Sequence, residues 1–557
     1  MEEYIMKLNS SIKLVHTALL VMTSGFTASA LASQDPIQAG NGIAVVNTKA
    51  GEIQGYIHND ILTYKGIPYA TAERFMPPQK VENWQGTKLA LTYGDVCPQV
   101  SMGGRSFFFA GPEMTESEQC LNLNVWAPNN DGKKRAVMVW IHGGGFQAGA
   151  SNDLHSYDGE NLARSGDVVV VSVNHRLNAM GHLDLSAYGE QYKYSANLGV
   201  QDLVASLEWV KENIDKFGGD PANVTIFGES GGGAKVLTLM GTPAAKGLFS
   251  KAIVESGALE KMGMTLTSPK VGQRVAELTL ANLGVKPTAL EKLKSFTPAQ
   301  INEAANKALK QTAEEQKLTP VRGQGYGLSW APTMDSDYIP QEPVGEKYPE
   351  LSKDIPLLIG SNLTEWESFP LQLDVANTQK DNRFTWTDSQ VQDKLKAKYG
   401  DKAADIVSAF REAYPERRLA DALYVDSFLR APALKTASLK ADQHAAPVYN
   451  YIFSWDTPVF NGVPMSYHTA EIAFVFNNID KMEQATGGGK AARELAKKMS
   501  AAWTNFAKTG NPNGNDLPQW NAYTRENGNT MIFDNKIETK QHHDTKLQRL
   551  LAPNMKF

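Results

Sequence analysis

The sequence predicts an α/β fold: a large, mostly parallel central sheet with helices on both faces. Three observations carry that expectation. Short apolar runs rich in valine and isoleucine recur along the chain, among them "RAVMVWIH", "DVVVVSVNHR" and "NVTIFG". Each run ends in a loop. Helical stretches such as "GVQDLVASLEWVKENIDKF" come between or after them. Strands read as near-continuous apolar runs when helices bury both faces of a parallel sheet.

The elements follow in order. At the N-terminus, Lys7 and Lys13 flank the start of an apolar run around Leu14–Met22, and Ala30-Leu31-Ala32 forms a small-x-small pattern. This predicts a secretory signal over 1–32, cut after Ala32, with Met6 as an alternative start. The run is too short and broken to span a bilayer, and no later segment is apolar for long enough. An exported, soluble protein is expected, periplasmic or extracellular. Cleavage removes Glu2, Glu3, Lys7 and Lys13, so the net charge of −5 is unchanged.

Residues 33–557 then read as a single domain. Gly42 to Trp84 is strand-like and turn-rich, as at the edge of a larger sheet. The parallel pattern begins near Leu123 and resumes in "FSKAIVES", "IPLLIGSN", "PVYNYIFSW" and "NTMIFD". Two long helical blocks, near 268–316 and 389–443, interrupt it. They are expected as insertions over the carboxyl ends of the strands, where α/β sheets bind their ligands.

Composition narrows the function classes. Hydrophobic residues are 42% and charged residues 21%, ordinary values for a globular chain. A net charge of −5 without a basic stripe argues against a nucleic-acid partner. The chain has two cysteines, Cys97 and Cys120, and in an exported protein such a pair is expected to be bridged. Without C-x-x-C spacing they signal neither zinc nor redox chemistry, and no metal or cofactor is expected.

The chemistry lies in "VTIFGESGGGAKV". A strand, Gly228-Glu229-Ser230-Gly231-Gly232 and a helix form a nucleophile elbow, whose tight corner excludes Cβ atoms and presents the serine hydroxyl. That hydroxyl needs a base, and the base an orienting acid. The order Ser, acid, His leaves His444, His468, His542 and His543 as candidate bases. His468 follows the strand "PVYNYIF" at its carboxyl end and is preferred. Glu365, Glu367 and Asp335 all remain open as the acid. "VWIHGGGFQAG" places Gly143, Gly144 and Gly145 directly after a strand, where their N–H groups, with that of Gly231, can meet a developing oxyanion. Together these predict a serine hydrolase.

With "YKGIPYA", "SEQCLNLNVWAP", "WIHGGGF", "NLGVQDLVASLEWVKENIDKFGGDPANVTIFGESGGG" and "WTNFAKTGNPNG", the chain resembles the type B carboxylesterase family from about Val45 to Trp520. That family includes cholinesterases and p-nitrobenzyl esterases. The resemblance implies an α/β-hydrolase fold, with Ser230 as nucleophile, Glu365 as acid, His468 as base, and Gly144, Gly145 and Gly231 as oxyanion donors. It matches Cys97–Cys120 to the family's first disulfide and Arg74 with Glu118 to a structural ion pair. It implies a small-molecule ester substrate, cleaved through an acyl-enzyme without a cofactor. The oligomeric state, monomer or dimer, stays open. A lipase for long-chain esters and a non-catalytic, cholinesterase-like adhesion protein are the alternatives.

Three positions depart from the family pattern: Trp366 and Thr469 replace glycines after the acid and the base, and His182 replaces a phenylalanine. His142 is expected to pack the loop. Glu229, beside the nucleophile, is a candidate pocket residue. The aromatics of "SFFF" and "GQGYGLSW" are candidates for a gorge lining, although such stretches more often only pack.

Overall fold

The valine-rich runs pair into one eleven-stranded sheet. The structure, a computed structural model, describes residues 36–99, 107–129, 131–257, 266–319, 327–335, 337–369 and 380–557. The predicted signal segment, 1–32, and the first half of "GQGYGLSW" lie outside the described residues. Gln38–Phe557 form one compact unit.

In chain order the strands are β1 (Tyr56–His58), β2 (Ile61–Pro68), β3 (Asn122–Pro128), β4 (Arg135–Ile141), β5 (Val169–Val173) and β6 (Gly219–Glu229). There follow β7 (Lys251–Glu255), β8 (Leu357–Asn362), β9 (Val448–Phe453), β10 (Asn529–Phe533) and β11 (Glu538–Gln541). Across the sheet they lie in the order β11-β10-β9-β8-β7-β6-β4-β5-β3-β2-β1. From β10 to β5 all neighbours are parallel. β3, β2 and β1 extend one side by antiparallel pairing, and β11 ends the other the same way.

Strand alternation builds two cores. Val137, Val139 and Ile141 of β4 face one apolar cluster, while Met138 and Trp140 face the other. The helices are α1 (Glu160–Gly166), α2 (Leu198–Asn213), α3 (Gly231–Met240), α4 (Pro269–Leu283) and α5 (Pro298–Glu315). Then come α6 (Asp388–Tyr399), α7 (Ala403–Ala413), α8 (Arg430–Ala441) and α9 (Lys490–Thr509). Leu207 of α2 and Leu237 of α3 join the first cluster, and Leu495, Met499 and Trp503 of α9 join the second.

The two predicted helical blocks hold α4 with α5 and α6 to α8. Thr297-Pro298 and Thr387 start α5 and α6, each with a reciprocal capping box to a glutamine three residues on. Arg74 ties the first block down: it pairs with Glu118 and donates at 2.7 Å to the carbonyls of both Leu293 and Phe296. The second block meets the loop after β8, through Lys398–Glu367 at 3.5 Å and Asp426 N–H to Leu363 O at 2.8 Å.

The expected edge position holds for β1 and β2 and is corrected for the start of the segment. Val45–Asn47 and Glu52–Gln54 do not edge the large sheet but pair with Thr87–Leu89 in a separate three-stranded sheet. The reason is local. Gly55 N–H bonds to Ala44 O at 2.9 Å, and a Cβ at Gly55 would lie 2.2 Å from Thr63 O, so the chain turns there from one sheet into the other.

Cys97 and Cys120 are bridged across 23 positions, both buried. Closing a loop of this length removes unfolded-state entropy worth about 3 kcal/mol in the chain-entropy model. Cys97→Ala with Cys120→Ala is expected to lower folding stability by about that amount. Denaturant titration of the double variant beside the oxidised parent measures it.

Candidate active site

Ser230 lies between β6 and α3 with φ 56° and ψ −123°, a conformation that L residues avoid and that costs on the order of 1–3 kcal/mol. Its surroundings enforce it. Ser230 N–H bonds to Glu255 O of the neighbouring strand at 2.8 Å, and Ala234 N–H bonds to Ser230 O at 3.1 Å. The glycines allow the close approach. A Cβ at Gly228 or Gly232 would come within 2.5 or 2.0 Å of Ile141 O, and one at Gly231 within 2.4 Å of the Gly145 backbone. The side chain of Ser230 emerges at the amino end of α3, where the helix dipole favours negative charge.

On the loop after β9, His468 Nδ1 bonds to Glu365 Oε2 at 2.6 Å, and His468 N–H to Glu365 O at 3.1 Å. Glu365 also has positive φ (37°, with ψ −121°), nearly the conformation of Ser230. Its other oxygen accepts from Ser256 Oγ at 2.6 Å and Asn362 N–H at 2.7 Å. The rival acids are engaged elsewhere. Glu367 pairs with Lys398, and Asp335 accepts backbone N–H groups of the turn that follows it, at 3.0 Å from Asp337 and 2.9 Å from Ile339. Of the other histidines, His444 is exposed before β9, while His542 and His543 contact Glu526 and Tyr414.

The ring of His468 is covered by Trp366, with centroids 4.2 Å apart. Its Nε2 stands 3.2 Å from Glu229 Oε1, off the line of a hydrogen bond. No hydrogen bond joins it to Ser230 Oγ among the described residues. Catalytic hydrogen bonds are often long before substrate binds and tighten afterwards. Burial lowers His468 to about 4, against the upward pull of Glu471 and Asp426. The imidazole is therefore neutral at pH 7 and able to accept a proton.

Sequence reasoning named Glu229 and Glu365 but missed Glu255, Glu471, Ser256 and Asn362 behind this dyad. Glu229, Glu255, Glu365 and Glu471 are all buried. Burial raises Glu365 to about 8, with Ser256 and Asn362 pulling it down, and raises Glu471 to about 7 with help from Glu365. Glu229 and Glu255 are driven well above the carboxylate range, by burial first and by the neighbouring glutamates second. Asn362 Nδ2 donates to Glu471 Oε2 at 2.6 Å, and Trp503 Nε1 to Glu255 Oε1 at 2.7 Å. Only position hinted at these residues: Glu471 lies three residues after His468, and Ser256 ends the run "AIVES".

The loop after β4 carries the candidate donors. Gly144 and Gly145 have φ of 81° and 62°, and a Cβ at Gly144 would lie 2.3 Å from Ala148 O. Among the described residues the N–H groups of Gly144 and Gly145 donate to no protein acceptor. His142 packs as expected: it stacks on His175 at 4.8 Å and bonds Gly143 O through Nδ1 at 2.9 Å. His182 is buried edge-on to Phe146 and bonds Ala196 O at 3.1 Å. Thr469 carries φ 79°, which explains the glycine usual there. Phe108 and Phe109 of "SFFF" contact Tyr467, and Phe109 reaches Phe369, which packs on Trp366. An aromatic wall thus leads to His468.

The raised carboxyls have a stability consequence. In the folded state Glu471 keeps its proton to about pH 7, whereas the unfolded group loses it near the ordinary glutamate value of 4.5. Stability from this group is therefore greatest below pH 4.5, falls as pH rises to about 7 and is flat above. Glu471→Gln is expected to raise the melting temperature by a few degrees at pH 8, with the gain vanishing near pH 4.5. Calorimetry at the two pH values reads it.

Residues 43–550 match the sequence profile of the carboxylesterase family. Para-nitrobenzyl esterase of Bacillus subtilis (strain 168) is 35% identical over 520 residues, covering 92% of this chain and 99% of that protein. Bile salt-activated lipase of Mus musculus is 29% identical over 537 residues, covering 91% of this chain and 85% of that one. Among solved structures, an esterase from anaerobic Clostridium hathewayi, described as able to hydrolyse aliphatic aromatic polyesters, superposes with a TM-score of 0.84. The identity is 35%, with 94% of this chain and 100% of that chain covered. The α/β-hydrolase fold is common to them, and this chain belongs to the carboxylesterase family as a serine hydrolase of carboxylic esters.

Proposed function

We propose that Ser230, His468 and Glu365 form the catalytic triad, and that the preferred substrates are small esters with an apolar or aromatic group. The observation that carries the assignment is the 2.6 Å bond from a buried, neutral imidazole to Glu365, beside a serine strained into a tight corner. Turning of the imidazole from Glu229 toward Ser230 completes the relay. Ser230 Oγ attacks the ester carbonyl carbon while its proton passes to His468 Nε2. Glu365 stabilises the resulting imidazolium. The carbonyl electrons move to oxygen, and the N–H groups of Gly144, Gly145 and Gly231 receive that charge. Collapse breaks the bond to the alcohol, which leaves with the proton from His468. Water then attacks the acyl-enzyme by the same steps, releasing the acid and restoring Ser230.

A neutral Glu229 beside Nε2 suits this cycle, because a carboxylate there would hold the imidazolium and slow its proton donation. The wall of Phe108, Phe109, Phe369 and Trp366 favours apolar and aromatic groups. The names of the para-nitrobenzyl and polyester esterases point the same way. The kinship with bile salt-activated lipase keeps long-chain esters as the alternative. Export is part of the proposal, supported by the leader pattern over 1–32 and by a disulfide, which persists in oxidising compartments.

A p-nitrophenyl ester series from acetyl to palmitoyl tests substrate class. The expected result is the highest kcat/KM on short chains, with Ser230→Ala reducing kcat by about 10⁴–10⁶. Rates that rise with chain length and jump above the micelle point establish the lipase alternative. N-terminal sequencing of protein recovered from an export-competent host is expected to start at Ser33. An unprocessed Met1 or Met6 start defeats the export proposal.

A further inference from the structure

The residue left without a role is Lys235. It lies on α3, five residues after Ser230, and is fully buried. Burying an ammonium group is costly unless its donors are satisfied. Lys235 Nζ spends them on the carbonyls of His142 at 2.9 Å and Gly143 at 3.4 Å, not on a carboxylate. These carbonyls belong to the two peptide units that open the glycine loop. The ring of Phe146 packs 5.8 Å from Nζ.

Peptide geometry converts this grip into a direction. In a trans unit the C=O and the following N–H point to opposite sides, and no peptide bond here is cis among the described residues. A carbonyl of Gly143 held toward Lys235 therefore turns the Gly144 N–H away from it. Gly143 O has a second donor, His142 Nδ1 at 2.9 Å, so the unit is held from two sides. Within the loop, Gly144 O accepts from Gln147 and Ala148 N–H at 3.3 and 3.1 Å, which fixes the unit bearing the Gly145 N–H; no bond of that kind fixes the Gly143–Gly144 unit, whose carbonyl goes to Lys235 and His142. Gly231, the next donor, abuts the Gly145 backbone from the α3 side. One helix thus carries the nucleophile, one oxyanion donor and the residue that grips the loop bearing the others.

We infer that Lys235 is a positioning residue for the oxyanion hole, aiming and polarising the Gly144 N–H from behind through the carbonyl of Gly143. The inference rests on the proposed function and deepens it. Burial pushes the Lys235 amine well below its ordinary range, but the amine offers N–H donors to the carbonyls in either protonation state. His142 and His175 are also held well below the histidine range, by burial first and by Lys235 second, so they add no competing charge.

The test compares Lys235→Met and Lys235→Arg with the parent enzyme and Ser230→Ala. The readouts are kcat and KM on p-nitrophenyl butyrate and the affinities of two ketones. A trifluoromethyl ketone adds Ser230 and forms a tetrahedral oxyanion, whereas the matching methyl ketone stays trigonal. Removal of one oxyanion donor typically costs about 10²–10³ in turnover. Lys235→Met is expected to lose kcat on that scale with KM little changed. Trifluoromethyl ketone affinity should fall in parallel and methyl ketone affinity stay constant, with Lys235→Arg recovering much of both losses. Lys235→Gln carries the same comparison if the methionine variant does not fold. A folded variant with kcat close to the parent overturns the inference, as does equal weakening of both ketones. Failure of both the methionine and glutamine variants to fold makes Lys235 a structural residue and overturns it too. Full activity in Ser230→Ala refutes the triad instead, a different outcome from a dead Ser230→Ala beside an active Lys235→Met.

Discussion

The carbonyl of Ile141, at the end of β4, occupies the space where Cβ atoms of Gly228 and Gly232 would stand. That contact sets how closely the elbow can approach the glycine loop. Because β4 and β6 are neighbours in the sheet, the two loops leave it side by side. The Gly231 backbone can then lie against Gly145, bringing donors from distant parts of the chain to one spot. Strain at Ser230 is the local cost, offset by a hydrogen-bonded sheet and two apolar cores that hold both strands. Glu365 is held in a similar strained conformation at the end of β8. A rigid sheet thus imposes on its loops conformations they would not adopt alone.

Behind these loops the electrostatics follow from dryness. Burial favours the protonated forms of Glu229, Glu255 and Glu471, while the hydrogen bonds of Ser256 and Asn362 pull Glu365 back toward the carboxylate that His468 needs. The same dryness keeps His468 neutral. Charge is therefore scarce at rest and costly when it forms, the setting in which fixed dipoles and hydrogen bonds matter most for a transition state. Ser256 and Asn362 serve this arrangement by occupying one oxygen of Glu365, leaving the other for His468.

Much of this was legible in the sequence. Parallel strands declare themselves through two-sided burial, as in "RAVMVWI", where every residue is buried. The elbow and the glycine loop are contiguous motifs whose backbone demands leave few alternatives. The choice among Glu365, Glu367 and Asp335 was not legible from spacing, because it depends on how the loop after β8 turns. Their partners differ: an imidazole for Glu365, a lysine for Glu367 and turn amides for Asp335. The carboxyl shell was hidden for a similar reason. Glu255 and Glu471 come from segments far apart in sequence, and only the fold makes them neighbours. The misread start, Val45–Gln54, has the composition of an edge strand, and Gly55 diverts it to another sheet.

The outermost strands carry a consequence of their own. At one margin β1 is three residues long; at the other β11 reads Glu-Thr-Lys-Gln, with Glu538 between Lys536 and Lys540. The charges of β11 disfavour an apolar partner, and at β1 Ile57 already exchanges two backbone bonds of 2.9 Å with Gln38, so an incoming chain finds few free N–H and C=O groups. The interior of the sheet is rich in aggregation-prone valine and isoleucine, yet its lateral growth is capped on both sides. Such a sheet can be large without becoming a template for its own polymerisation.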